Sequence, residues 1–237
     1  MSLDLRTLTF AKACFEAHML FGSLDQLALT EFLNNATISK FPSGKMIFQK
    51  GDLGTQLYLI SEGRVRISTI SEDGKEIILN ILESGEIFGE IAFLDGKDRT
   101  ATAVATEDCN LISISRATFT SLMSRHPEVV CPLIEVLCAR LRWVSEAYED
   151  AIFHHLPQRL ARKLLSLTNL QKAPNMGAVP FMLPISQADL GRTLGMSREK
   201  INRQLKYWQR SGIVSLKRGE IWINDRAYLS RAANPEP

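Results

Sequence analysis

The hydrophobic pattern of this 237-residue chain changes its period along the sequence, and that change restricts the fold more than any other feature. Over residues 38–114, short alternating or apolar runs are separated by turns rich in Gly and Asp. Roughly eight short strands at such spacing are typical of a sandwich or barrel closed by turns. The clearest strand candidates are residues 46–48, 57–60, 64–67, 77–82 and 110–114.

The segments on either side of this region carry apolar residues at helical spacing. Apolar residues recur at helical spacing over residues 8–35, and a short helix is predicted over 117–124. A longer helix, from about residue 128 to 154, carries apolar residues spaced alternately by four and three positions, which is a heptad seam. We expect this seam to pair in a parallel homodimer, with packing on the chain's own barrel as the alternative. The seam residues are Val130, Ile134, Leu137, Leu141, Val144, Tyr148 and Ala151.

Pro157 should end or kink the long helix and mark a hinge, with another amphipathic helix over residues 159–170. Charge divides at the same point: 14 Lys and Arg stand against 5 Asp and Glu from residue 157 onward, and 14 against 21 before it. A basic C-terminal domain suits a polyanion such as DNA, although a merely positive surface is the alternative. The expected divisions are residues 1–127, 128–156 and 157–237.

Residues 185–208 carry the strongest local signal, because two capped helices follow each other across a glycine turn. Ser186 is a fitting N-cap with Asp189 as a near capping box, Gly195 supplies the turn, and Ser197 caps the second helix. On that helix the buried stripe is expected to be Ile201, Leu205 and Trp208. The opposite side presents polar residues, namely Arg198, Glu199, Asn202, Arg203 and Lys206.

A recognition helix of this kind places its N-terminal residues against base edges in the major groove. Arginine pairs with guanine and glutamate accepts from cytosine, so Arg198 and Glu199 are candidate base contacts. We also expect Ser186 and Gln187, which begin the preceding helix, to lie at the DNA. A charged, solvated helix face is the alternative, but it leaves the preceding capped helix unexplained. Residues 212–223 then predict a β-hairpin wing with Lys217 and Arg218 at its tip.

Residues 88–102 are unusual for a barrel, because a short helical turn interrupts the strands. Gly89 allows backbone N–H groups to approach a ligand, and a helix N-terminus favours an anion. Arg99 can supply the opposing charge, and Glu90 can accept a hydrogen bond from a ribose hydroxyl. A cyclic nucleotide needs these groups. A simple ion pair between Glu90 and Arg99 beside a turn is the alternative.

Other features exclude several classes of protein. The N-terminus does not look like a signal peptide, and no window is long and apolar enough to span a membrane, so we expect a cytoplasmic protein. The four cysteines are scattered, so we expect reduced thiols in or near the core and no metal. We find no nucleophile–base set and no Walker-type loop, so the chain is not expected to be an enzyme.

Residues 41–229 resemble the cyclic-AMP receptor protein family, the Crp/Fnr superfamily. A phosphate-binding cassette is present as Phe88-Gly89-Glu90-Ile91-Ala92 with Arg99-Thr100-Ala101, and the helix-turn-helix resembles that family's in Ser197-Arg198-Glu199 and Arg203. The resemblance implies an α+β protein with an N-terminal cyclic-nucleotide-binding β jelly roll, a long dimerisation helix and a C-terminal winged helix-turn-helix.

The resemblance also implies roles for individual residues. Glu90 should bind the ribose 2′-hydroxyl, and Arg99 the cyclic phosphate, with help from Thr100 and the backbone from Gly89 to Ile91. Arg198 and Arg203 should contact guanines and Glu199 a cytosine, which suggests GTGA-like half-sites in an inverted repeat. RNA polymerase is the further partner that the family implies.

One position departs from the family pattern. Nucleotide-responsive members carry adjacent Thr and Ser on the dimer helix that bind adenine, and this chain has Val144-Ser145. The missing hydroxyl leaves adenine selectivity open. Thr100 could favour guanine, as similar cassettes in cyclic-GMP-binding proteins suggest. Cyclic AMP is therefore the first expected effector, with cyclic GMP as the second.

Two other functions remain. The chain could be a DNA-binding regulator of this type that does not respond to cyclic nucleotide, its cassette being a structural remnant. It could also be a nucleotide-binding regulatory subunit of a partner enzyme, although the helix after Ser197 argues against that.

Overall fold

The computed structural model of the chain describes residues 26–170, 181–183, 185–217 and 220–234. The chain divides into two compact units at the border between Leu141 and Arg142, and residues 76–78 are grouped with the second unit. Most of the helix predicted over residues 8–35 lies outside the described residues. Its described end is α1, Gln26–Asn34.

The N-terminal unit is built around two four-stranded sheets with orders β1-β8-β3-β6 and β2-β7-β4-β5. The apolar runs of β3 and β8 are nearly continuous because both strands lie inside the first sheet, where Leu59 pairs with Ile112. This is the predicted jelly roll. The strands are β1 (Thr37–Phe41), β2 (Met46–Phe48), β3 (Gln56–Glu62), β4 (Val65–Ile70), β5 (Glu76–Leu82), β6 (Ile87–Phe88), β7 (Thr102–Ala105) and β8 (Cys109–Ser115).

Two further helices belong to this unit: α2 (Glu90–Asp95) and α3 (Arg116–Arg125). One hydrophobic core lies where α1 and α3 cover the first sheet, and there Phe32 and Phe119 meet edge to face with ring centroids 6.0 Å apart. A second core fills the interior between the sheets and contains the aromatic side chains of Phe48, Tyr58 and Phe88. This second core forms the wall beside the candidate ligand residues.

The long helix α4 spans Val130–Phe153 and follows a short 3-10 turn at Pro127–Val129. Leu133 is buried in the core of the N-terminal unit, and Val136 packs against the same core. The predicted seam lies on a different side of the helix. There Ile134, Leu141 and Tyr148 are 52%, 67% and 68% exposed, whereas Val130 and Leu137 are half-buried, so the described part of the chain leaves much of the seam uncovered.

The prediction that Pro157 ends or kinks the long helix is wrong. Helix α4 ends at Phe153, and Pro157 lies in the first turn of the next helix, α5 (Leu156–Leu170). The first N–H groups of a helix have no partner within it, so proline is tolerated at that position. The start of α5 is closed instead by Gln158, whose side-chain Oε1 accepts from the His155 N–H at 2.9 Å.

The C-terminal unit contains a helix-turn-helix and a three-stranded sheet of order β10-β11-β9. Its core is formed by apolar side chains of α5, the two motif helices and the sheet, with Trp208 among its largest fully buried residues. Strands β10 and β11 form the predicted wing. The elements are β9 (Phe181–Leu183), α6 (Gln187–Leu194), α7 (Arg198–Arg210), β10 (Val214–Lys217), β11 (Glu220–Ile223) and α8 (Arg226–Ala233).

The expectation that the cysteines lie in or near the core holds for only one of the three described cysteines. Cys109 is buried, and burial raises the pKa of its thiol, so it stays protonated. Cys131 and Cys138 are exposed on α4 because they lie off the side that packs on the jelly roll. Cys14 lies outside the described residues.

Candidate functional site

Gly89 follows β6 and is the N-cap residue of α2, and its backbone has a left-handed φ of 79°. A Cβ atom at this position would lie 2.5 Å from Nη1 of Arg99 and 3.4 Å from the carbonyl oxygen of Gln56. Glycine is thus required both by the backbone conformation and by the close approach of the arginine. Any side chain here would fill the space beside the Arg99 guanidinium.

The Arg99 side chain is buried to 4% exposure, although it ends in a charge. Its Nη1 donates to the Gly89 carbonyl oxygen at 2.7 Å, and its Nη2 donates to the Gln56 carbonyl oxygen at 2.6 Å. The guanidinium carbon stands 4.2 Å from the centroid of the Phe48 ring. Nε has no hydrogen-bond partner among the described residues. A buried cation with an unused donor is suited to hold an anion.

The alternative of a simple ion pair between Glu90 and Arg99 does not describe the geometry. Glu90 is 6% exposed, and its Oε1 lies 3.7 Å from Nε of Arg140 on α4. Arg140 also donates through Nη2 to the Ile87 carbonyl oxygen at 2.9 Å. A second arginine therefore faces Glu90, while backbone carbonyls are the hydrogen-bond acceptors of Arg99.

The electrostatics of this region follow from burial. Burial lowers the pKa of Arg99 from its ordinary value, and the nearby Tyr58, Glu90 and Asp52 act against that shift. Burial likewise raises the pKa of Tyr58, with Arg99 acting in the opposite sense. An arginine pKa starts so high that Arg99 remains a cation at neutral pH. A bound anion would relieve the desolvation of that cation.

The other predicted ligand residues are exposed and lie in different parts of the fold. Ile91 is 48% exposed in the first turn of α2, and Thr100 is exposed directly after Arg99. Val144 and Ser145 lie on α4 past the border between the two units, and both are exposed. The structure thus brings Gly89 and Arg99 into contact and sets Glu90 directly beside Gly89 in the chain.

Sequence reasoning missed four residues of this region. Phe48 and Tyr58 form the aromatic surface beside Arg99, Gln56 supplies a carbonyl, and Arg140 faces Glu90. The Tyr58 and Phe88 rings are stacked with centroids 5.1 Å apart. In the sequence these residues look like ordinary strand or helix positions, because only the folded sheets bring them to the cassette.

In the C-terminal unit both predicted caps are present. Ser186 Oγ accepts from the Asp189 N–H at 3.0 Å and donates to an Asp189 carboxylate oxygen at 2.7 Å. Ser197 Oγ accepts from the Lys200 N–H at 3.3 Å. Both caps satisfy donors that would otherwise be orphaned at a helix start. Ser186 and Ser197 are exposed at the surface, and Gln187 is half-buried.

Helix α7 has the predicted two faces. Ile201, Leu205 and Trp208 are all buried, at 1% exposure or less. The opposite side carries Arg198, Glu199, Arg203 and Lys206 in exposed positions and Asn202 in a half-buried one. Polar and charged side chains that can hydrogen-bond to bases and phosphates thus share one face of a helix that its core holds firmly. Lys217 stands at the wing, and Arg218 lies outside the described residues.

Two family models match the chain. A cyclic nucleotide-binding domain matches residues 38–126, and a Crp-like helix-turn-helix domain matches residues 158–232. The first covers the jelly roll with Gly89, Glu90 and Arg99. The second covers α5 to α8 with both motif helices.

Relatives and solved structures agree with these models. The cyclic AMP receptor protein of Thermus thermophilus is 34% identical over 81% of this chain and 86% of that protein. The CRP-like cAMP-activated global transcriptional regulator of Mycobacterium tuberculosis is 29% identical over 90% and 96%. The c-di-GMP responsive regulator CLP of Xanthomonas campestris has the same fold, with a TM-score of 0.75, 24% identity and coverage of 85% and 100%. This chain belongs to the Crp/Fnr family of transcription regulators.

Membership of this family makes the chain a transcription regulator with a DNA-binding helix-turn-helix, and not an enzyme. Among the helices in the described ranges, none combines the length and apolar character needed to cross a membrane. The same ranges contain no group of three or more His, Cys, Asp and Glu residues placed to hold a metal ion.

Proposed function

We propose that the protein is a homodimeric, cytoplasmic transcription regulator that binds an inverted-repeat DNA site and is controlled by a cyclic nucleotide. The observation that carries the proposal is Arg99, a buried cation with an unused Nε–H beside a glycine whose left-handed backbone and close approach to Nη1 disfavour a side chain. A structural ion pair would not need that combination. The same chain carries a basic recognition face on α7, so that a ligand signal and a DNA contact lie in one molecule.

For the nucleotide, Arg99 and the backbone at Gly89 would hold the cyclic phosphate, with Ile91 and Thr100 at its edge. Glu90, faced by Arg140 at 3.7 Å, would accept a hydrogen bond from the ribose 2′-hydroxyl. We expect cyclic AMP to be the effector, because relatives covering most of this chain are named cAMP-activated regulators. Cyclic GMP is the second candidate, since Val144 lacks the hydroxyl of a threonine beside Ser145.

For DNA, the exposed face of α7 supports contacts with base edges in GTGA-like half-sites. Arg198 and Arg203 would bind guanines, and Glu199 would accept from a cytosine amino group. Asn202 and Lys206 lie on the same side, while Ser186, Gln187 and Ser197 would face the phosphates near the helix starts. RNA polymerase is the partner to which such a regulator would transmit its effect.

The observation that supports a dimer is the exposed heptad seam of α4. All residues from Leu141 to Glu149 are exposed in the single chain, including large apolar ones. A second copy would cover Ile134, Leu141, Val144 and Tyr148, with Val130, Leu137 and Ala151 in the same heptad register. Two-fold symmetry would then set the recognition helices about 34 Å apart, one turn of DNA.

The nucleotide switch is tested by a gel-shift titration on an inverted GTGA repeat, with and without each cyclic nucleotide. We expect cyclic AMP to tighten binding by about 5- to 150-fold, the usual range of allosteric coupling. If neither cyclic AMP nor cyclic GMP changes the affinity, the proposed switch is wrong.

Calorimetry decides whether the cassette is a remnant. We expect heat on adding cyclic AMP to the wild-type chain and none with Arg99→Ala. Lys97→Ala is the matched control, because Lys97 is an exposed cation on the same loop. Absence of heat in the wild type would favour a regulator of this family without nucleotide control. Normal expression at a target promoter after Arg198→Ala and Arg203→Ala would favour the regulatory subunit of an enzyme.

A further inference from the structure

Helix α2 is only six residues long, with Gly89 as its N-cap and Glu90 as its first residue. A helix this short is marginal by itself, so its position is set by what it packs against. The position of α2 in turn decides where Glu90 stands relative to Arg99. Other parts of the N-terminal unit contact α2 at its centre and at both of its ends.

The centre of α2 rests on Gly54, which lies in the loop between β2 and β3. A Cβ atom on Gly54 would lie 2.2 Å from the Cβ of Ala92, 2.9 Å from its carbonyl carbon and 3.0 Å from its Cα. Carbon atoms at their optimal separation are about 3.5–4.0 Å apart, so a side chain at position 54 and the helix exclude each other. The φ of Gly54 is not left-handed, and space is therefore what requires glycine here.

Arginine side chains hold the two ends of α2. At its start, Arg99 Nη1 donates to the Gly89 carbonyl oxygen at 2.7 Å. At its end, Arg116 Nη2 donates at 3.1 Å to the carbonyl oxygen of Leu94, one of the last carbonyls, which a helix leaves without an internal partner. Gly96 makes room for this second arginine, because a Cβ atom there would lie 2.2 Å from Arg116 Nη1. Moving α2 away from the β2–β3 loop would loosen these contacts.

The segment that supports the centre of α2 also holds Arg99. The Gln56 carbonyl oxygen accepts from Arg99 Nη2 at 2.6 Å, and the Asp52 carbonyl oxygen accepts from the Arg99 main-chain N–H at 2.8 Å. Gly54 lies between these two residues in the chain and faces α2. The distance between α2 and Arg99 therefore depends on how closely this segment can approach the helix.

We propose that Gly54 and Arg116 are positioning residues of the nucleotide site. They seat α2 so that Glu90 stands at the distance from Arg99 that a cyclic nucleotide requires, and they act through α2 instead of contacting the ligand. A side chain at position 54 would displace the centre of the helix, and loss of Arg116 would release its end. This inference rests on the proposed control by a cyclic nucleotide.

Calorimetry with cyclic AMP tests the seat at the centre of α2. We expect Gly54→Ala to weaken binding about tenfold or more, because the overpacked contact must be relieved by moving the helix. The same substitution in the Ala92→Gly background should cost less, since the nearest atom, the Ala92 Cβ, is gone. Leu53→Ala is the control, because Leu53 is 77% exposed beside Gly54. Wild-type affinity in Gly54→Ala, or an equal loss in both backgrounds, would overturn the proposal.

Arg116→Ala tests the end of the helix without a change in the hydrophobic core, because Arg116 is exposed. We expect cyclic AMP binding to weaken by about 2- to 10-fold, the usual net contribution of one hydrogen bond. Lys97→Ala removes an exposed cation one residue after Gly96 and should leave the affinity unchanged. An unchanged affinity in Arg116→Ala would overturn the role of Arg116. If Gly54→Ala does not fold, this exposed position carries the test.

Backbone amide NMR signals of the full chain without nucleotide distinguish positioning from a general loss of stability. We expect Gly54→Ala and Arg116→Ala to shift the signals of Glu90 and Ile91, and an added Ala92→Gly to move them back toward the wild type in the first variant. Unshifted signals together with a weakened affinity would overturn the proposal. If the wild type binds neither cyclic AMP nor cyclic GMP, the nucleotide proposal fails, and these signals alone decide how α2 is seated.

Discussion

At the residue scale, Gly89 is subject to two separate constraints. Its φ of 79° disfavours any residue with a Cβ, and the space that a Cβ would occupy lies 2.5 Å from the Arg99 guanidinium. Gly85 shares only the first constraint, with a φ of 90° and no heavy atom within 4 Å of an added Cβ. Comparing alanine substitutions at Gly89 and Gly85 therefore separates the free-energy cost of the left-handed backbone from the cost of displacing Arg99.

We predict that Gly89→Ala and Gly85→Ala each lose about 1–2 kcal/mol of unfolding free energy from left-handed backbone strain. Only Gly89→Ala should also abolish nucleotide binding, because its methyl group displaces Arg99. Urea unfolding and calorimetry measure the two effects. Equal nucleotide affinity in the two variants would show that Arg99 does not depend on the space at Gly89.

At the element scale, α7 combines a core-facing stripe with a charged face, and the two can be tested separately. Lys206→Ala removes one exposed cation without touching the buried residues. If Lys206 contacts a phosphate, we predict that the slope of log affinity against log salt falls by about 1 and that all DNA sequences are affected alike. Gln209→Ala, an exposed neutral position on the same helix, should leave the slope unchanged.

Helix α5 carries a lysine whose environment disfavours its charge. Burial lowers the pKa of Lys163, so between that lowered value and the ordinary 10.5 the unfolded chain binds more protons than the folded one. The free energy of unfolding should therefore rise with pH across this interval. We predict that Lys163→Met is more stable than the wild type near neutral pH and that its advantage shrinks as pH rises toward 10.5. Thermal melts at several pH values measure this, with the exposed Lys200→Met as a control that shows no such trend.

Elements whose signals are local could be predicted from the sequence. Ser186, Gly195 and Ser197 define the motif helices through caps and a turn, and each acts within a few residues of its own position. The alternating runs likewise predicted most strands, because strand periodicity depends on the nearest neighbours in the chain. Pro157 was misread, since the local rule for proline permits either the end of one helix or the first turn of the next.

The surroundings of the cassette could not be predicted in the same way. Arg140 faces Glu90 from 50 positions further along the chain, and the Gln56 carbonyl at the start of β3 accepts from Arg99, which lies 43 positions later. Such contacts depend on how the sheets and α4 pack, which no local pattern encodes. The sequence thus indicated the residues that should touch a ligand, but not the residues that hold them in place.

At the scale of the whole molecule, the bare seam of α4 determines the assembly that we expect. Burying one Leu141 side chain in each copy should contribute about 1.5–3 kcal/mol per subunit. We predict that Leu141→Asp raises the dimer dissociation constant by about 100-fold or more, since each 1.4 kcal/mol is a factor of ten. Sedimentation velocity over a concentration series measures it. Glu146→Gln, exposed and off the seam, should sediment like the wild type.

The same variant links assembly to DNA binding. A Leu141→Asp monomer should lose affinity for an inverted repeat much more than for a single half-site, because only the repeat rewards two joined recognition helices. An undiminished preference for the inverted repeat would contradict the dimer.

The hydrogen bonds of Arg99 have a consequence for how a ligand's affinity should be understood. The carbonyl oxygens of Gly89 and Gln56 already accept from this guanidinium at 2.7 and 2.6 Å. An anion could use the free Nε–H of Arg99, but one that also draws Nη1 and Nη2 away from these carbonyls must compete with the main chain of the protein itself. Its measured affinity is then the difference between two sets of good hydrogen bonds, so changes that loosen the strand end at Gln56 should tighten binding without touching the ligand.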